Sequence, residues 1–203
     1  MRENRRFLVR RLWLDEHTQL LGGNRGAQIV EFAVSLPLLM VLIVGIFDFG
    51  AAFTLKQKLA TAALDGVRVA SNQPTSDLSI SSTPPSINVI ADVVAGALER
   101  SNGNDCGLLS ARTVSPGPGA LTWSYSASTG CPGVLTLKIE RGHTYHTSLT
   151  SPFPSDYTIE ATRITLTYPY KWQFDKVIKV MIPGASYAGT SQITSVAVMQ
   201  NLN

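Results

Sequence analysis

From Ile29 to Phe47 the chain reads IVEFAVSLPLLMVLIVGIF, a run of 19 residues in which Glu31 is the one ionisable group. A helix of that length rises about 28 Å, close to the roughly 30 Å of a bilayer's hydrocarbon core. With its flanks continuing to Leu55, the stretch is long enough to cross a membrane. Composition agrees. Hydrophobic residues make up 44% of the 203-residue chain and charged residues 15%, where a soluble domain averages about a quarter charged. The apolar core of a cleaved secretory signal is about 7–15 residues, so the run is too long for one, although Gly50-Ala51-Ala52 offers small residues at its end.

Working outward, Arg2, Arg5, Arg6, Arg10, Arg11 and Arg25 precede the run, and Lys56 and Lys58 follow it. By the positive-inside rule the N-terminus is expected in the cytoplasm, and the remainder in the periplasm or beyond. Beyond the run, acids and bases roughly balance within a net charge of +3. No basic stripe marks the rest of the chain, so no nucleic-acid partner is expected. Leu55, Leu59, Ala62, Ala63 and Val67 then recur on one helical face. Asp65 and Arg68 form an i, i+3 pair on the other side. One helix over 27–70 is predicted, apolar first and amphipathic second. It stops before Pro74, because proline disfavours helix in the residue ahead of it.

Ionisable groups inside lipid are costly and need a reason. Asp48, at the outer end of the run, reads as an interfacial group. Glu31, two residues into the run, has a more specific context. Arg25-Gly26-Ala27-Gln28-Ile29-Val30-Glu31-Phe32 resembles the prepilin peptidase site of Flp-type, or tight-adherence, pilins. That pattern has a glycine before the cut, a glutamate at the fifth mature residue and an aromatic at the sixth. Gly26, Glu31 and Phe32 match it. The wider stretch through Leu36-Pro37-Leu38-Leu39, Gly45-Ile46-Phe47-Asp48-Phe49-Gly50 and Ala62-Ala63-Leu64-Asp65-Gly66-Val67-Arg68 is similar to the TadE-like family. Ile164-Thr165-Leu166-Thr167-Tyr168-Pro169-Tyr170 more loosely resembles that family's downstream strand with its Tyr-Pro-Tyr-like turn.

The resemblance implies a minor pseudopilin of a bacterial tight-adherence (type IVb-like) pilus, single-pass in the inner membrane. Cleavage after Gly26 would expose the amine of Ala27. A free ammonium in lipid needs a counter-charge, and Glu31, on the same or a neighbouring subunit, would supply it. The partners so implied are the prepilin peptidase, other pilins and pseudopilins, the pilus inner-membrane assembly proteins and the lipid bilayer.

The organisation expected is a basic leader over 1–26, the long helix over 27–70, a Ser/Thr/Pro-rich linker over 71–86 and an exported α+β domain over 87–203. In that domain a second helix is predicted from Ser86 as cap, with Ile87, Ile90, Val94, Ala97 and Leu98 on one face and Asn102-Gly103 as its end. Leu135, Leu137 and Ile139 alternate with Thr136, Lys138 and Glu140 as in a strand. Between Ala161 and Ile164 the alternation changes phase, which predicts a bulge there. Thr190 to Met199 is a further strand, with Val196 and Val198 facing one way. These strands are expected to form a small antiparallel sheet against the second helix or the emerging end of the first, a pilin-like plan. Phe174, Val177, Ile178, Met181 and Ile182 recur at helical spacing, either as a core helix or as a partner- or membrane-touching face.

Cys106 and Cys131 lie beyond the apolar run. They pair if that part is exported, and are two free thiols if it is cytosolic. The orientation favours a disulfide, worth about 3 kcal/mol for a loop of that size. His143 and His146 lack the intervening Glu of zinc hydrolases, and on a strand they point to opposite faces. There is no Gly-x-Ser-x-Gly elbow and no phosphate-cradling glycine loop. Pro116-Gly117-Pro118-Gly119 reads as turn chemistry. Trp123, Tyr125, Tyr145, Tyr168, Tyr170 and Trp172 read as core and turn aromatics, or as a ligand-binding patch. No enzyme activity, metal or cofactor is expected. The competing function is an uncleaved, signal-anchored periplasmic module that binds a ligand through those aromatics.

Overall fold

The computed structural model describes residues 25–78, 83–149, 155–174, 184 and 190–202. The arginines from Arg2 to Arg11 and the periodic residues Val177 to Ile182 lie outside them. The chain divides into one unit reaching Ile46 and another from Phe47 to Asn203, and helix α1 (Arg25–Ser71) contributes to both. It exceeds the expected 27–70 by a residue or two at each end.

In the first unit, α1 has no apolar partner among the described residues. Ile29, Val30, Phe32, Val34, Leu38 and Leu39 all stand exposed. An 18-residue window of the helix has a mean hydropathy of 2.5, and none of it is buried. A helix that is apolar all round needs an apolar surround, which makes this stretch a candidate membrane span. Pro37 sits inside it. Proline removes the hydrogen bond to the carbonyl four residues back, a loss that membrane helices tolerate.

In the second unit, the amphipathic stripe is buried as its spacing predicts. Leu59, Ala62, Ala63 and Val67 are inaccessible, and Leu55 packs against them half-buried. Helix α2 (Pro85–Arg100) buries Ile87, Ile90, Val94, Ala97 and Leu98. Its start differs from expectation. Pro84 is the cap residue and Pro85 the first helical residue, where the missing N–H costs nothing. Ser86 lies inside the first turn and is itself held by Asp77, whose carboxylate accepts from the Ser86 N–H at 2.9 Å and hydroxyl at 3.0 Å. The linker therefore caps the helix with a charge that its N-terminal dipole favours.

Five strands form one antiparallel sheet in chain order: β1 (Thr113–Pro116), β2 (Thr122–Ala127), β3 (Leu135–Leu149), β4 (Ser155–Lys171) and β5 (Thr190–Gln200). Its inner face brings Tyr125, Leu135, Leu137, Ile139, Ile164 and Leu166 onto the helices, and the domain is α+β. Tyr125 reaches α2, its hydroxyl donating to Asn88 Oδ1 at 2.9 Å. Burial pushes its phenol up to about 12. Cys106 and Cys131 form a disulfide with Cα atoms 5.3 Å apart, tying the loop after α2 to the β2–β3 loop.

Two further sequence expectations are corrected, and a third gains its direction. The bulge lies across the ladder from its expected place. Glu140 pairs with Arg163 and His143 with Ala161, so the extra residue is in β3, while β4 stays in step with β5. Ala161 and Thr162 are consecutive buried residues, which breaks the burial phase of β4 without any insertion there. Tyr168-Pro169-Tyr170 is strand, not turn. Pro169 pairs with Gln192 of β5 beyond the last β3 partner, Thr136, so its absent N–H falls where one flank is already open. Val196 and Val198 do share a face, but it is the outer one, where they are 54% and 44% exposed; Ile193, Ala197 and Met199 pack inward.

Gly66 permits the closest approach in the core. A Cβ there would lie 2.5 Å from Val94 Cγ2 and 3.0 Å from Ile164 Cδ1. Gly→Ala in a helix ordinarily stabilises by up to about 1 kcal/mol. At this site Gly66→Ala is expected instead to destabilise by about 1–2 kcal/mol through overpacking. Thermal denaturation decides the sign, and a raised melting temperature would refute the contact.

On the outer face Arg163 holds Glu140 through Nε–Oε2 at 2.5 Å and Nη2–Oε1 at 2.9 Å, and Lys138 Nζ adds a bond at 3.0 Å. The Arg163 bonds, set against partial burial and aided by Lys138, pull the Glu140 carboxyl down to about 2. Because the folded value is depressed, this contribution is complete above the ordinary glutamate range and fades as pH falls toward 2. Melting temperatures between pH 5 and 2 should fall less steeply in Glu140→Gln than in the parent. Parallel curves would show that the pair contributes nothing.

Candidate processing and assembly site

Gly26, Ala27, Glu31 and Phe32 occupy the first two turns of α1, and all four are exposed. Nothing lies within 4 Å of a Cβ built at Gly26. Packing within the described chain therefore sets no requirement for glycine at this position. Ala27 and Glu31 are four residues apart, so they share one helical face about 6 Å apart along the axis. No ion pair among the described residues involves Glu31. The arrangement presents a small residue, an unpaired carboxylate and an aromatic to whatever surrounds the helix.

Asp48, expected as an interfacial group, has partners in the head that the expectation did not include. It is completely buried, while Phe47 and Phe49 beside it are exposed. Its carboxylate accepts from the Gln173 N–H at 3.1 Å and the Phe174 N–H at 3.3 Å. Its carbonyl accepts from the Tyr170 hydroxyl at 3.4 Å. Strand β4 has ended at Lys171, so these amides have no ladder partner, and a carboxylate that accepts two N–H groups compensates its own burial. Trp172 completes the arrangement, edge-on to Phe49 at 5.4 Å and to Tyr170 at 5.3 Å, with Nε1 donating to Ser191 Oγ at 2.8 Å. The sequence signal for this cluster was the acid itself, flanked by aromatics at the end of an apolar run. Its partners, more than 120 residues away, carried no signal.

The remaining aromatics do not gather into one patch. Tyr125, Tyr168 and Tyr170 are buried, Trp123 packs against the core, and Tyr145 is exposed near the β3–β4 tip. His146 Nδ1 lies 3.0 Å from the Thr158 hydroxyl across the same ribbon.

Asp48→Ala should leave the Gln173 and Phe174 amides without an acceptor, at a cost of about 1–3 kcal/mol. Hydrogen exchange over residues 170–174 is expected to accelerate, with α2 unaffected, and Asp48→Asn should recover part of the protection. Unchanged exchange would mean that the carboxylate does not hold this segment.

No curated protein and no solved structure matches the chain. A family model does match, over residues 26–68, ending short of the Ile164–Tyr170 stretch. It covers the candidate span, the Gly26–Phe32 motif and Gly66 together, and its description is TadE-like protein, which links this segment of the chain to tight-adherence pilus systems.

Proposed function

We propose that the protein is a membrane-anchored minor pseudopilin that acts in the assembly of a tight-adherence pilus, with a structural and not an enzymatic role. Prepilin peptidase removes residues 1–26, and the chain beginning at Ala27 stays in the inner membrane with its C-terminal domain on the periplasmic side. The observation that carries this reading is the spacing of Gly26, Glu31 and Phe32 at the start of an uncovered apolar helix. Among the described residues no packing requires glycine at 26, as none does at Gly45 or Gly50, so the motif is read from its spacing, as recognition from outside the chain would read it. The family match over the same residues supports it.

After cleavage, the Ala27 ammonium and the Glu31 carboxylate lie on one helical face near the membrane boundary. Pairing them, within a subunit or between neighbours, offsets the cost of holding either charge in lipid. Glu31 then serves docking and not cleavage. The exposed apolar face of α1 meets other pilin helices, and the head supplies the remaining partner contacts.

The test is the mass and N-terminal sequence of the membrane-extracted protein, with and without co-expressed prepilin peptidase. The mature chain should begin at Ala27 only when the peptidase is present. Gly26→Leu should keep the full-length form, whereas Glu31→Ala should be cleaved normally but lost from pilus complexes. A chain starting at Met1 under both conditions would leave an uncleaved anchor and overturn the processing mechanism.

A further inference from the structure

Three phenylalanines of α1 stand exposed within seven residues, Phe47 at 67%, Phe49 at 64% and Phe53 at 64%. They follow the uncovered apolar stretch of the candidate span without a break in the helix. At about 100° per residue, the three rings fan over about 160° of the helix circumference, from Phe49 through Phe53 to Phe47. Asp48 points away from the middle of that fan and is buried in the head. At this level the head therefore covers one side of α1 and leaves rings around the other. Trp172, just past the end of β4, adds a ring from the head itself. It lies edge-on to Phe49 at 5.4 Å, and its Nε1 donates to Ser191 Oγ at 2.8 Å.

Counting from Glu31, the acid at the other end of the apolar run, a span of about 20 residues ends between Phe49 and Phe53. Lys56 shares the face of these two rings and is exposed. It lies about 5 Å beyond Phe53 along the axis, the depth of the headgroup layer on one side of a bilayer. Among the described residues it takes part in no ion pair. Apolar rings suit the hydrocarbon side of a membrane boundary, an indole with a polar edge suits the boundary itself, and a lysine ammonium suits the water just beyond it. A partner helix packs along one narrow stripe and cannot cover Phe47 and Phe49 together. A bilayer surrounds the helix and covers all three rings.

We propose that the membrane boundary on the head's side falls at Phe53, so that Phe47, Phe49, Phe53 and Trp172 form an aromatic collar immersed in that leaflet. The base of the head is then seated in the lipid, and is not held clear of it by the later turns of α1. The collar fixes the depth of the anchor. It also places Asp48 at hydrocarbon depth, where the amides of Gln173 and Phe174 shield its charge from lipid. This rests on the membrane-anchored reading above, but not on cleavage at Gly26.

The test uses the full chain, its disulfide intact, reconstituted in phosphatidylcholine vesicles. Phe47→Cys, Phe49→Cys and Phe53→Cys should each react with a charged, membrane-impermeant maleimide at least about tenfold more slowly than Ala60→Cys, because hydrocarbon excludes the charged reagent. Ala60 is exposed on the face of Phe49 and Phe53, past the headgroup layer. The protection should be the same at one chain per vesicle as at many. On the unsubstituted chain, which removes any effect of the variants on folding, a phospholipid with a diazirine at its glycerol should crosslink to residues 47–56 and 170–174 and not to α2. Equal reactivity at positions 53 and 60, or crosslinks confined to residues before Phe47, overturns the proposal by placing the boundary short of the head. Protection that arises only when chains are crowded assigns the rings to a second copy and overturns it too. Release of the chain from native membranes by alkaline carbonate would overturn the anchored reading as well. Retention in the membrane with a reactive Phe53→Cys would defeat this inference alone.

Discussion

The guanidinium of Arg141 is the point on which the head depends. The alternation of β3 that sends Leu135, Leu137 and Ile139 inward sends Arg141 inward next, and it is 2% exposed. It donates from Nη1 to the Ala70 carbonyl at 2.5 Å and from Nη2 to the Gln73 carbonyl at 3.0 Å. A helix leaves its last carbonyls without intrahelical partners, and a cation there also meets the favourable end of the dipole. The main chain of Arg141 is tied as well. Its N–H donates to Leu121 at 2.9 Å, and its carbonyl accepts from Asn201 Nδ2 at 3.3 Å. One residue therefore joins the end of α1, the linker, the turn before β2 and the end of the chain. The bulge that follows is the local distortion that accompanies this junction.

Burial lowers the Arg141 pKa, against a smaller opposing effect of Asp77, yet a guanidinium keeps its proton throughout the accessible pH range. A buried positive charge is costly unless acceptors meet it, and the Ala70 carbonyl at the helix end and the Gln73 carbonyl in the linker meet two of its nitrogens, leaving the buried Nε–H without an acceptor among the described residues. Asp77 links this junction to α2 through its bonds to Ser86. The charges of the head thus define where its elements meet, while the apolar stripes of α1, α2 and the sheet supply the burial. Gly66 lets Val94 of α2 and Ile164 of β4 come closer to α1 than a side chain there would allow.

The same helix has two surrounds. Up to Ile46 its side chains have no cover among the described residues, which makes that part a candidate membrane span, and a stripe of Leu59, Ala62, Ala63 and Val67 is sealed in the head. Asp48 stands at the change. In lipid a carboxylate there would be costly, and the head removes the cost with backbone amides from the end of β4.

The sequence by itself determined what depends on spacing along the chain. The apolar run, the buried stripe of α1, the face of α2 and the alternation over Leu135–Ile139 are local periodicities, each produced by the 3.6- or 2-residue geometry of its element. The Gly26–Phe32 motif was legible for the same reason, since its meaning lies in consecutive residues that no fold has to bring together. The tertiary structure alone decided what depends on distant partners. Nothing local to Asp48 shows that amides from residues 173 and 174 reach it. Ser86 read as a cap because Asp77 lies nine residues away. The bulge was placed in β4 because two adjacent buried residues mimic an insertion, and only the pairing of β3 with β4 shows which strand carries it. Val196 and Val198 read correctly as one face, but a two-residue period cannot say which face meets the core. Side-chain spacing is set within a strand or helix, whereas burial of a charge or the choice of a sheet's inner face is set by whatever the rest of the chain places against it.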